Sequence, residues 1–223
     1  FLVAFSQKDL EVLRELELLA ISNHVPKVEL ILDKRRIKEM EPNLSEEVQA
    51  VLYTPSTGIV SPWDLVFGFT ENAVANGVEL FTNATCNNIK IKDSGFVVET
   101  NIGEFKASYI INAAGAYADK IAGMVGDRSF KINGVRMQRA IFDKTCDGLV
   151  NRILRDINGS APGDFIMPTL HGNIMVGTKN DLVNDISDTR TTRDGINCWV
   201  LPEGKKIIPN LDKSKIIRSF SAV

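Results

Sequence analysis

Histidine and cysteine are scarce in this sequence, with two of the first and three of the second among 223 residues. Cys86, Cys146 and Cys198 are odd in number and widely spaced, which fits neither a disulfide framework nor a zinc site. A reducing, cytoplasmic setting is the plain expectation. With only His24 and His171, and no carboxylates clustered at ligand spacing, nothing supports a metal centre or a Cys/His hydrolase. A basic excess is missing too. The formal net charge of -2 cannot neutralise a phosphate backbone, so nucleic acid is not an expected partner, whereas a small anionic ligand stays open. No apolar run approaches the ~20 residues that cross a bilayer, and the first residues lack a signal-peptide pattern, so any membrane contact is expected to be peripheral. There is no Gly-x-Gly-x-x-Gly and no Walker-type loop, which excludes a self-sufficient dinucleotide-binding enzyme. Internal repeats and low-complexity tracts are likewise lacking.

What is present is the composition of a folding globular chain, 44% hydrophobic and 24% charged, long enough for one large domain or two small ones. Ser6-Gln7-Lys8-Asp9 reads as a capping box, and Leu10, Leu13, Leu16, Leu19 and Ala20 recur at helical spacing, so residues 6–22 are expected to form a helix with a leucine stripe in the core. Short strands are expected at 28–32 and 51–54, with a small helix capped by Asp33 between them. Ser61-Pro62-Trp63-Asp64 is the clearest helix start, and Gly77 its stop; 78–81 then alternates as a strand. A three-stranded meander follows at 89–92, 96–100 and 105–111, whose last part, Tyr109-Ile110-Ile111, reads as a strand buried on both faces. A helix over 117–125, extended segments at 132–142 and 164–177 with His171-Gly172 as a hairpin turn, and a helix over 191–208 interrupted near Gly195 complete the pattern. Asn83-Ala84-Thr85 and Asn158-Gly159-Ser160 match the glycosylation acceptor pattern by chance. The opening at Phe1 and the strand-like close at 219–223 are expected of a piece cut from a longer protein.

Two places could carry chemistry. The first is Asn112-Ala113-Ala114-Gly115-Ala116, between a strand and a helix, where small side chains let a ligand approach the backbone and the amides opening a helix favour a phosphate. Taken alone, small residues at such a turn more often serve tight packing. The second is Arg136 and Arg139, which, three apart in an extended segment, face opposite sides, so at most one can enter a given pocket. Either is a surface arginine by default; the alternative is a guanidinium holding a carboxylate or phosphate by paired hydrogen bonds. His171, beside a turn glycine, is expected to face solvent.

Three segments taken together, 57–65 (Thr-Gly-Ile-Val-Ser-Pro-Trp-Asp-Leu), 71–78 (Glu-Asn-Ala-Val-Ala-Asn-Gly-Val) and 111–119 (Ile-Asn-Ala-Ala-Gly-Ala-Tyr-Ala-Asp), resemble in order and spacing the glycerol-3-phosphate dehydrogenase branch of the D-amino-acid-oxidase-like flavoproteins. Residues 165–172 and 176–178 extend the resemblance over most of the chain. It implies an α/β (mixed α+β) fold, part of a Rossmann-like FAD-binding domain plus a mixed-sheet substrate domain. Residues 1–62 and 129–215 would form the substrate domain, 63–128 the FAD domain, and 216–223 a strand returning to it. The resemblance implies FAD as cofactor of the full-length protein, with Ala113, Ala114 and Gly115 near its phosphates and ribityl chain, Asp119 nearby, and Thr85 and Cys86 at the adenine end. Arg136 or Arg139 would bind the substrate, although Met137 stands where the family has glycine. An Arg-Pro pair and a glycine-rich segment of the family pattern would lie past Val223. The implied reaction is hydride transfer from an anionic alcohol, sn-glycerol 3-phosphate or alternatively 2-hydroxyglutarate, to flavin, with a quinone or another electron acceptor downstream and peripheral contact with the inner face of the membrane left open. A different class of reading is a cofactor-free folded fragment without activity of its own.

Overall fold

The computed structural model describes residues 1–158 and 165–223, the side chains of 178 and 179 excepted. The last residues of the tripeptide at 158–160, the strand start at Asp164 and the side chain of Thr178 therefore lie outside the described residues. Two compact units divide the chain: Phe1–Ser61, Val135–Leu182 and Ser187–Val223 make the first, and Pro62–Gly134 with Val183–Ile186 the second.

Unit 1 opens with strand β1 (Leu2–Ala4) and helix α1 (Gln7–Ser22). The expected capping box is there: the Asp9 amide donates to the Ser6 hydroxyl at 3.2 Å, and the Phe5 and Ser6 amides donate to the Asp9 carboxylate at 2.9 Å each. Leu10 and Leu13 are buried against Ala4, Ala50 and Leu52, but Leu19 is exposed. Leu16 is partly buried against the same cluster, so the leucine stripe meets the core from Leu10 to Leu16 and leaves it at Leu19. Strands of three or four residues span about 10–13 Å, and a 16-residue helix about 24 Å, so the C-terminal turns overhang the sheet. Next come β2 (Glu29–Ile31), α2 (Lys34–Met40) capped by Asp33, and β3 (Ala50–Tyr53).

Unit 2 holds α3 (Pro62–Ala75), then β4 (Cys86–Lys92), β5 (Gly95–Thr100) and β6 (Gly103–Ala107) as an antiparallel meander, then α4 (Ala118–Met124) behind a 3₁₀ turn at Gly115–Tyr117. The turn into β5 needs its glycine, because Gly95 has φ +135° and a Cβ there would meet the Ala107 carbonyl oxygen at 2.4 Å. Two strand expectations fail. Residues 78–81 form no strand, and the third meander strand ends at Ala107, leaving Tyr109 88% and Ile111 92% exposed rather than buried on both faces. A strand needs a neighbour to take its amides and carbonyls, and among the described residues none lies beside either segment. For a similar reason α3 buries no side chain at all, with Trp63 73% exposed despite a helix that starts and stops as expected.

The chain then supplies β7 (Gly134–Phe142), β8 (Arg155–Asp156), β9 (Phe165–Pro168), β10 (Ile174–Val183), α5 (Leu201–Ile207) and β11 (Ile216–Ala222). One sheet of unit 1 has the order β2-β3-β1-β8, antiparallel except for the parallel β1/β8 pair; the other has the order β11-β7-β10-β9. A bridge between Leu154 and Ile166 joins them. The last strand, β11, runs antiparallel to β7, with Phe220 opposite Arg139. The 191–208 helix begins at 193 and passes through a π-turn, Gly195–Val200, before α5. Gly195 is required there, since a Cβ would lie 2.3 Å from the Gln138 side-chain nitrogen. The main core gathers Phe142, Leu154, Ile166, Ile174, Ile208 and Leu211, with Val3 and Val51 from the first sheet.

Candidate functional site

In unit 2 the segment after β6 passes without regular structure through Asn112 and Ala113, and Ala114 (φ -78°, ψ 12°) leads into the 3₁₀ turn that opens at Gly115, φ +55°. Ala113 and Gly115 are exposed, and a Cβ built on Gly115 meets no atom within 4 Å, so the corner is small and open. Its amides are not all free. The Ala114 amide donates to the Asn112 side-chain oxygen at 3.3 Å, while the Asn112 side-chain nitrogen donates to the Ala118 carbonyl at 2.8 Å, so Asn112 braces the turn. Asp119 faces away from solvent in part and accepts the Ile132 amide at 3.1 Å, which ties α4 to the start of the following extended segment. The Thr85 amide donates to Asn101 Oδ1 at 2.6 Å, and Cys86, half-buried, lies with its Sγ 3.9 Å from the Met124 Sδ. Of the residues expected near a nucleotide, Ala113 and Gly115 are exposed, Ala114 has its amide bonded to Asn112 and its carbonyl accepting the Tyr117 amide at 3.0 Å, and Thr85 and Asp119 are engaged in holding unit 2 together. An open corner with no bulky side chain fits the close approach of an FAD nucleotide.

In unit 1, β7 sorts its side chains by alternation. Gln138, Ala140 and Phe142 are wholly buried, and Arg136 lies on that same face; Met137, Arg139 and Ile141 lie on the other. Arg136 is balanced by two carboxylates, its Nη1 3.2 Å from Asp188 Oδ2 and its Nη2 3.6 Å from Asp181 Oδ2. Gln138 closes the network, donating to Asp181 at 2.9 Å and accepting the Thr192 amide at 2.7 Å. The residue following Met137 therefore packs into the core of unit 1.

Arg139 differs. It is half-buried with its guanidinium carbon 5.4 Å from the centre of the Phe165 ring, and among the described residues no hydrogen bond or ion pair reaches it. Burial alone holds its pKa below the usual guanidinium value. Phe165 also walls a cavity of about 600 Å³ with Tyr53, Thr57, Arg152, Arg155 and Pro168, a size suited to a small ligand. The Arg152 side of the cavity is fixed from below by Glu41, fully buried, which accepts the Asn151 amide at 3.0 Å and lies 3.8 Å from the Arg152 guanidinium. Burial pushes the Glu41 carboxyl up, against those hydrogen bonds and the Arg152 charge. His171 is exposed in the hairpin turn, as its neighbour Gly172 suggested. Nothing in the sequence marked Arg152 and Arg155, and although residues 57–59 belong to a segment that carries the resemblance, nothing there pointed to a cavity, because its walls come from stretches far apart in the chain.

All of residues 1–223 match the FAD dependent oxidoreductase (DAO) family, and the protein belongs to that family. A glycerol 3-phosphate dehydrogenase of Caloramator mitchellensis is 32% identical over 222 residues, 99% of this chain and 46% of its own length. A glycerol 3-phosphate oxidase of Mycoplasma pneumoniae is 28% identical over 229 residues, 99% of this chain and 59% of its own length. The solved structure of dithionite-reduced L-alpha-glycerophosphate oxidase from Mycoplasma pneumoniae with FAD bound superimposes with a TM-score of 0.91 at 26% identity, covering 99% of this chain and 59% of that one. The chain thus spans about half the length of the curated relatives it matches. The mixed α/β architecture is that of the FAD-binding family. No helix among the described residues is long and apolar enough to cross a membrane.

Proposed function

We propose that the full-length protein is an FAD-dependent enzyme that oxidises sn-glycerol 3-phosphate. The observation that carries this reading is the family match over the whole chain, joined to a glycerol 3-phosphate dehydrogenase at 32% identity over 222 residues. Ala113, Ala114 and Gly115 would lie against the cofactor's phosphates and ribityl chain, with Asp119 close by and Thr85 and Cys86 toward the adenine. Their part is to hold: the open Gly115 corner lets the backbone approach, and Asn112 keeps that corner rigid. Bound FAD supplies a two-electron acceptor, so that the alcohol carbon gives up a hydride, its hydroxyl gives up a proton, and a ketone remains. The cationic groups of unit 1 orient the anionic end of the substrate. An electron acceptor, a quinone or another, receives the two electrons in turn.

Anaerobic addition of sn-glycerol 3-phosphate to the purified full-length protein is expected to bleach its flavin absorbance. Bleaching by 2-hydroxyglutarate and not by the phosphate ester would move the substrate to the hydroxy acids. Bleaching by neither would overturn the reading.

A further inference from the structure

We infer that Arg139, and not Arg136, is the cation that receives the anionic group of the substrate, which makes it the specificity-determining residue of unit 1. The inference rests on the reading of the protein as an oxidase or dehydrogenase of an anionic alcohol. Strand alternation decides between the two arginines. Arg136 shares the buried face of β7 with Gln138, and Asp181 and Asp188 already meet its charge. A third anion there would have to displace a carboxylate. Arg139 stands on the opposite face, half-buried, with five N–H donors and neither a carboxylate nor a carbonyl to take them among the described residues. Withdrawing a guanidinium from water is costly unless an anion compensates, and an aromatic ring compensates only in part.

The surroundings suit a ligand. In the order β7-β10-β9, the side chain of Arg139 must pass over β10 to reach Phe165, and the β10 partner of Phe165 is Gly177. Gly177 carries no side chain of its own beside Phe165. On its other flank Arg139 faces Phe220 of β11. Phe165 is in turn a wall of the 600 Å³ cavity, so the cation and the cavity adjoin through one ring. A planar, bidentate donor without an ion-pair partner, beside a cavity that Arg152 and Arg155 also line, selects a small molecule with a phosphomonoester or a carboxylate at one end.

The test uses the full-length protein and two probes that need no turnover, inorganic phosphate and malonate, followed by calorimetry. Wild type is expected to bind one or both, and Arg139→Gln to weaken that binding about 30-fold, the scale of a charged hydrogen-bonded contact. KM for the oxidised substrate should rise by a similar factor with kcat little changed, and Arg139→Lys should recover part of the loss. Arg136→Gln should lower the melting temperature while weakening either probe less than about threefold. Phosphate binding without malonate binding assigns the subsite to phosphate esters, and the converse to carboxylates. If wild type binds neither probe, or if Arg139→Gln binds both as wild type does, the inference is overturned. If binding depends on Arg139 yet no anionic alcohol reduces the flavin, the anion subsite stands and the proposed reaction falls.

Discussion

Asp188 and Glu41 are both carboxylates tied to arginine, and their surroundings move them in opposite directions. The Arg190 side chain and amide bond to Asp188, and these bonds, helped by the Arg136 charge, hold its carboxyl at about 2, below the usual 3.8. A folded-state pKa below the unfolded one gives stability that is complete above about pH 4 and is lost as pH falls through about 2. Asp188→Asn should therefore be less stable than wild type near neutrality, with the gap closing between about pH 4 and 2, which urea melts across that range would measure. In Glu41 burial raises the carboxyl above 4.5. There the folded state takes up its proton first, so the contribution of Glu41 to stability improves as pH is lowered toward about 4.5 and is flat below it. Wild type should accordingly gain on Glu41→Gln as pH falls toward that value. Glu41→Ala is a harsher change: it strips the Asn151 amide of its acceptor and should cost about 2–4 kcal/mol in a denaturant melt.

Among the elements, α1 rests on its cap and on two leucines. Ser6→Ala removes the acceptor of the Asp9 amide and should cost about 1 kcal/mol, whereas Leu13→Ala opens a wholly buried site and should cost about 2–5 kcal/mol. The π-turn is set by a neighbour on another element. Gly195→Ala would drive a methyl into the buried Gln138 amide and should cost about 1–3 kcal/mol, and pairing it with Gln138→Ala should recover part of that loss; additive costs would show that the contact is not the cause. The caps, turns and spacing of α1, α2, α3 and the meander were legible because they are local: a side chain three residues away satisfies the helix end, and a glycine permits the turn. The strands at 78–81 and 109–111 were misread because their alternation is local too, and pairing is not. An apolar alternating segment becomes a strand only beside another strand, and none is there among the described residues.

For the whole molecule, unit 2 is the part whose apolar surface is least covered: α3 buries nothing, and Tyr109 and Ile111 stand out in the open. No glycine-rich phosphate loop lies within residues 1–223, so those residues prepared alone should hold FAD weakly or not at all; a preparation still yellow after desalting would contradict this. The sequence by itself determined the caps, the turns and the family, because each is written in neighbouring residues or in motifs with fixed spacing. It also determined that Arg136 and Arg139 point to opposite faces, since a strand alternates. Which of the two is neutralised was decided only by tertiary structure, because Asp181 and Asp188 come from 45 or more residues away and meet Arg136 only after the sheet and the 187–192 segment have closed over it. The cavity beside Phe165 was decided in the same way, since its walls are drawn from four separated stretches of chain, at 1–2, 53–59, 151–155 and 165–168, and no local pattern records their meeting.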